Sequence, residues 1–285
     1  MPVAIQPTPE QLGKLSPFER ASFRLVDFVN RNPVTKASSA LFLRSVGTAW
    51  VYRCTRRLVH ILGFEHVREL RPPAGLLLVS NHRSFFDQYI ISCYLLRLTQ
   101  VLRRIYFPVR AEFWYQRPLG VVVSAAMSAL SMYPPVFREP GKRDFNTYGL
   151  KRMVQLLEEP GSVIGMHPEG TRNKGSDPYT FLPAQPGVGK LIYEARPMVL
   201  PIFTNGLCND IRQQITGNFD GTGTPVVIVF GAPLDLSSFY AKKNSLRTQK
   251  EIADHTLVEI GRLGERERAY REELARSPRR GPVIV

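Results

Sequence analysis

The chain is expected to fold as an α/β domain, a mixed, largely parallel sheet flanked by helices, with an N-terminal helical pair in front of it. Three observations predict this. Short apolar runs at 76–80, 105–109, 198–203 and 225–230, with another starting at 162, alternate with longer stretches of helical periodicity, as strands joined by crossover helices do. Gly and Pro punctuate the runs, Pro72-Pro73 and Gly75 before one and Pro160-Gly161 before another. Hydrophobic residues are 44% of 285, enough for a proper core.

Taken in order, residues 1 to about 15 are expected to be a mobile arm. A helix follows over 16–30, with Pro17 in its first turn, Phe18, Phe23, Leu25, Val26, Phe28 and Val29 as its apolar residues, and Asn32-Pro33 as its stop. A second helix is expected over about 38–62, with Leu41, Phe42, Val46, Ala49, Trp50 and Tyr52 on apolar ground and Arg53, Arg56 and Arg57 on one face. A basic, Trp-bearing helix suits a membrane interface, where aliphatic bulk meets acyl chains and guanidinium groups meet phosphates. It equally suits a surface helix packed on the domain.

Strand 76–80, helix 84–98 and strand 105–109 come next. The apolar stretch 118–136 is cut by Pro134-Pro135 before it reaches the roughly 20 residues of a membrane span. It is expected to be a buried core helix or strand, with a membrane-dipping segment as the alternative. A helix over 147–158 carries Leu150, Met153, Val154 and Leu157 on one stripe and ends at Pro160-Gly161. A short helix at 187–195 contains Gly187-Val188-Gly189-Lys190, which fails as a phosphate loop because Ala184 and Leu191 stand where Gly and Ser or Thr belong. The last segment, 245–276, is a charged helix with Ile252, Leu257, Ile260 and Leu263 toward the body. The chain divides accordingly into 1–70 (arm and amphipathic helices), 71–245 (α/β domain) and 246–285 (charged helix and a tail with Arg279-Arg280).

Thirty-eight Lys and Arg against twenty-four Asp and Glu give +14, which calls for an anionic partner, lipid or nucleic acid. Nucleic acid is set aside because no reading motif accompanies the charge. Cys54, Cys93 and Cys208 are odd in number and form no C-x2-C pair, so neither a disulfide framework nor a zinc site is expected and a reducing compartment is. Gln6, Pro7, Pro9 and Glu10 interrupt any apolar leader. The expectation is a cytoplasmic protein, peripheral on the inner face of an anionic membrane.

The stretch richest in chemistry is Ser80-Asn81-His82-Arg83-Ser84-Phe85-Phe86-Asp87, directly after the run Leu76 to Val79. A bend from loop into helix lets His82 and Asp87 meet. A neutral imidazole, with a free pKa of about 6.5, then takes a proton from a hydroxyl while the carboxylate fixes its tautomer. Ser84 to Asp87 also fits a capping box, in which Asp87 folds back on the helix N-terminus. A second strand runs into Met166-His167-Pro168-Glu169-Gly170-Thr171-Arg172 and ends in a guanidinium. His167 and Glu169 lack a second histidine at metal-ligand spacing, so no metal is expected.

His82-x4-Asp87, followed about eighty residues later by Glu169-Gly170-Thr171-Arg172, resembles the first and third motifs of the glycerolipid acyltransferases. Val109 to Phe113 with Pro118-Leu119-Gly120 is similar to the block after the first motif, and Leu200-Pro201-Ile202 to the fourth. The second motif departs: Arg138 matches, but Met132 and Pro135 stand where the family usually has Gly and Phe. The resemblance implies an O-acyltransferase with acyl-CoA or acyl-carrier protein as donor substrate and no bound cofactor. The acceptor it implies is a lysophospholipid such as lysophosphatidic acid, which attacks directly without an acyl-enzyme. His82 and Asp87 are the catalytic residues so implied. Arg172 is the main candidate for the acceptor phosphate, since a guanidinium fork matches phosphate oxygens, followed by Arg138 and Arg110. Glu169, Gly170 and Thr171 shape the turn on the substrate side. Glycerol-3-phosphate or an amino-acid-containing lipid as acceptor, and a non-catalytic basic membrane-binding module, remain as alternatives.

Overall fold

The computed structural model describes residues 5–100, 103–279 and 281–285. One seven-stranded sheet runs in the order β3-β6-β2-β7-β8-β1-β9. Its strands are β1 (Val59–Leu62), β2 (Leu76–Ser80), β3 (Arg104–Tyr106), β6 (Ser162–Met166), β7 (Met198–Asn205), β8 (Val226–Phe230) and β9 (Val283–Ile284). β7 and β8 pair antiparallel, and every other neighbouring pair is parallel. β4 (Val109–Arg110) and β5 (Pro135–Val136) form a separate two-stranded pair. The sheet is thus mixed and largely parallel, with helices on both faces, as the sequence predicts.

β2 shows why its residues form an unbroken apolar run. Leu77 and Val79 point into one core with Phe23, Leu156, Leu191 and Ile260. Leu76 and Leu78 point into the other with Val51, Ile91, Leu95 and Ile105. A central parallel strand is covered on both faces, so alternation with polar residues is lost. The first core brings together residues of helices Pro17–Arg31, Arg143–Leu157, Pro186–Ala195 and Leu246–Arg276, the second those of Thr48–Thr55 and Asp87–Leu98.

The expected helix over 16–30 is Pro17–Arg31, capped by a box between Ser16 and Glu19. Four expectations need correction. Part of the expected arm is ordered: Pro9–Gly13 is a capped helical turn, and Leu15 behind it is buried. Residues 1–4 lie outside the described residues, as does Arg280 of the expected tail. The second helix stops early. It runs as Pro33–Phe42, a π-helical turn Leu43–Gly47 and Thr48–Thr55, after which Val59–Leu62 becomes β1, because β8 and β9 offer it hydrogen bonds on either side. The expected strand 105–109 is two strands, β3 and β4, either side of Phe107-Pro108.

The fourth correction concerns the stretch 118–136, of which the end does lie in the core, with Met132 and Tyr133 buried, but the first part does not. Its helix, Pro118–Ser128, buries only Gly120, Ser124 and Ser128. Leu119 is 63% and Val122 62% exposed. Small residues four apart let the helix lie close against the body: a Cβ on Gly120 would come 1.8 Å from the Phe113 carbonyl oxygen. Leu119 and Val122 are left facing outward.

β1 and β9 come from the segments expected to flank the domain, and both join its sheet. Cys54, Cys93 and Cys208 are free thiols.

Candidate active site

The site grows out of one parallel pairing. β2 and β6 are neighbours with Val79 opposite Met166, so the chain leaves the sheet side by side as Ser80-Asn81-His82 and His167-Pro168-Glu169. Glu169 joins the two exits. It is only 1% exposed, and its oxygens accept the N–H of His82 at 2.9 Å and of Leu182 at 2.8 Å. Asn173 N–H donates to the His82 carbonyl at 2.8 Å. Glu169, expected on the substrate side, is therefore an internal clamp on the backbone of His82. Burial raises its pKa against the pull of those two donors.

His82 and Asp87 meet. Asp87 opens the helix Asp87–Leu98, and its Oδ2 accepts the backbone N–H of Arg83 at 2.7 Å and of Ser84 at 2.8 Å, while His82 Nδ1 lies 3.2 Å away. The same oxygen ties down the loop ahead of the helix and meets the imidazole, so the contact between His82 and Asp87 is made; the expected capping box is not, because the helix starts at Asp87 with no side chain capping it. The side chain of Asp87 is 1% exposed, and its Oδ1 is buried with no hydrogen-bond partner among the described residues. Burial accordingly pushes the carboxyl up to about 6, opposed by His167 and by the Ser84 and Arg83 N–H groups. With an ionised carboxylate on Nδ1, that nitrogen carries the proton and Nε2 is the basic one. Burial pushes the imidazole down to about 4, and Arg172 and Arg110 add to the shift, so His82 is neutral at physiological pH.

A second imidazole lies against the first. The rings of His82 and His167 stack at 3.8 Å with 4° between their planes. His167 Nδ1 is 3.0 Å from the Ser80 carbonyl, an acceptor only, so Nδ1 carries the proton. Burial holds this ring at about 3. Beneath it Gln88 donates to the Met166 carbonyl at 2.9 Å and to Ser80 Oγ at 3.0 Å. It reaches them by passing Gly165, where a Cβ would stand 2.4 Å from Gln88 Oε1. His82, Asp87 and His167 offer ligand atoms within 4.8 Å of one another. Rings stacked face to face aim their in-plane lone pairs side by side, however, and these do not converge on one ion.

Both imidazoles open onto a cleft of about 610 Å³. Its wall carries Arg110, Arg117, Arg138, Arg172 and Lys174, with Glu112 as the acid among them. Arg138 and Arg110 donate to the Gly170 carbonyl at 3.0 and 3.4 Å. Arg172 donates to Asn209 Oδ1 at 2.9 Å and lies 4.0 Å over the Phe85 ring. Burial lowers the pKa of Arg110, and the guanidinium groups of Arg138 and Arg172 push the same way. Gly170 and Thr171 line the wall too. Of the residues expected at the site, all but Glu169 face the cleft or form the dyad. His167, Gln88, Arg117 and Lys174 are the additions; only the pairing of β2 with β6, which sequence does not give, brings His167 to His82.

A half-buried neutral imidazole beside a cationic wall can take a proton from a hydroxyl on a molecule that also carries negative charge. Residues 62–205, just over half of the chain, match the Acyltransferase family. The chain belongs to that family. The matched segment contains the dyad and Arg110, Arg138 and Arg172 of the wall. Among solved structures, this acyltransferase is similar to the 1-acyl-sn-glycerophosphate acyltransferase PlsC from Thermotoga maritima, with 16% identity, a TM-score of 0.49, and coverage of 85% of this chain and 90% of that one. No curated protein matches the sequence.

Proposed function

We propose that this acyltransferase moves a fatty acyl group from a thioester, acyl-CoA or acyl-carrier protein, to the free hydroxyl of a lysophospholipid. Lysophosphatidic acid, giving phosphatidic acid in phospholipid biosynthesis, is the acceptor that suits the cleft best. The carrying observation is the cationic wall within the same cleft as a neutral imidazole. Guanidinium groups held close enough to lower the pKa of Arg110 repel one another, and a phosphate among them relieves that repulsion. In this reading Nε2 of His82 takes the hydroxyl proton as the oxygen attacks the thioester carbonyl. Asp87 stabilises the imidazolium. The tetrahedral oxyanion collapses, the C–S bond breaks, and the leaving thiolate takes the proton back from His82. Glycerol-3-phosphate shares the phosphate and the same proton transfer, so the choice between acceptors is a matter for kinetics. Purified protein given labelled acyl donors and a panel of lyso-acceptors is expected to show its highest kcat/KM with lysophosphatidic acid. A preference for an acceptor without a phosphate would overturn the proposal.

We also infer that the cleft opens against an anionic lipid surface. Among the described residues no helix is long and apolar enough to cross a membrane. Arg117 on the cleft wall is followed directly by the outward-facing apolar helix Pro118–Ser128, and residues 118–137 carry no charge. Trp50, Leu41 and Val46 of the second helix are exposed as well. Arg53 and Arg57, assigned from sequence to the same interface, lie beside Phe219. Apolar side chains next to a cationic cleft mouth fit a lipid surface with anionic headgroups.

A further inference from the structure

We infer that His167 is a positioning residue for the reaction: a flat wall that holds the ring of His82 in the plane its base chemistry requires. The inference rests on the reading of His82 as the base. A single hydrogen bond to Asp87, at 3.2 Å, restrains His82 at one point and leaves the ring free to swing about it. The stack supplies what the bond lacks. At 3.8 Å between centroids and 4° between planes, no water fits between the rings, and tilting His82 would drive it into His167.

The wall is itself fixed. His167 Nδ1–H donates to the carbonyl of Ser80, a fully buried residue of the strand that delivers His82 two positions later. Gln88 bonds both Ser80 Oγ and the Met166 carbonyl, so strand ends, wall and base form one connected unit. His167 is not the base in this account. Small misplacement of a base costs rate far more than affinity, because the substrate is bound elsewhere, on the cationic wall.

The test compares wild type with His167→Ala, His167→Phe and His82→Ala, reading kcat and KM with the best acceptor and the ¹⁵N spectrum of the His82 ring in substrate-free protein. His167→Ala is expected to lower kcat roughly 10- to 100-fold with KM changed less than about twofold. His167→Phe keeps a flat face and is expected to retain kcat within about fivefold of wild type. The His82 spectrum is expected to show one Nδ1–H tautomer in wild type and the Phe variant and an averaged signal in the Ala variant. Should His167→Ala not fold, His167→Leu fills the space without a flat ring and carries the same expectation. Wild-type kcat in the Ala or Leu variant overturns the proposal, as does a Phe variant as slow as Ala, which would make the ring nitrogen the essential part. An active His82→Ala would instead remove the reading of His82 as base, and the tautomer spectra would still decide whether His167 holds the ring.

Discussion

A single oxygen of Asp87 holds the loop ahead of its helix and meets the His82 imidazole, and the titration of the site follows from its burial. Asp87 is raised to about 6 and His82 lowered to about 4, so at neutral pH the dyad is carboxylate and neutral imidazole. The proposed mechanism needs that pairing; kcat/KM is therefore expected to fall as pH drops below about 6, measured with acceptors whose own charge is constant there. Asp87→Asn is expected to lower kcat by about 100-fold or more while the fold survives, since an amide oxygen still accepts the Arg83 and Ser84 N–H groups but stabilises an imidazolium poorly. Stability carries its own signature. His82 and His167, lowered from 6.5 to about 4 and about 3, stabilise the fold fully above 6.5 and lose that contribution as pH falls through those values. Asp87, raised from 3.8, acts in the opposite sense: its contribution is present below 3.8 and lost as pH rises through about 6. Between pH 6 and 4 the unfolded state binds one more proton over these three groups. Removing one histidine cancels the difference. Urea unfolding at pH 6 and pH 5 is expected to show wild type losing about 1 kcal/mol more than His167→Phe; equal losses would contradict the burial of this ring.

At the scale of elements, the helix Pro118–Ser128 has Gly120, Ser124 and Ser128 inward and Leu119 and Val122 outward. The sequence shows the apolar run plainly, but burial is decided by which side finds a partner, and Gly120, Ser124 and Ser128 are the residues small enough to meet the body. Leu119→Glu with Val122→Glu is expected to abolish sedimentation with anionic vesicles while leaving kcat on a dispersed short-chain acceptor within about twofold of wild type, since neither side chain lines the cleft. Undiminished vesicle binding would sink the assignment of this face. β6 makes a different demand. Gly165→Ala is expected to displace Gln88 and lower the free energy of unfolding by about 1–3 kcal/mol, read from denaturant unfolding, because a Cβ there meets Gln88 Oε1 at 2.4 Å.

Across the whole molecule, what could be read in advance was local: the apolar run of β2, the helix start with Pro17 in its first turn, the bend that brings Asp87 to His82, and the guanidinium after the second strand. What was hidden depends on pairing between distant segments. Val59–Leu62 looks like the end of a helix until β8 and β9 bond to it, and Glu169 looks like a substrate ligand until β2 and β6 leave the sheet together and bury it. His167 was visible but unassignable for the same reason. The central claim is that His82 is the base of an acyl transfer, and it is tested most directly by kcat/KM for purified wild type and His82→Ala, side by side, with one acyl-CoA and lysophosphatidic acid. The account predicts a loss of about 1,000-fold or more with the fold intact by circular dichroism; a variant within about tenfold of wild type would contradict it.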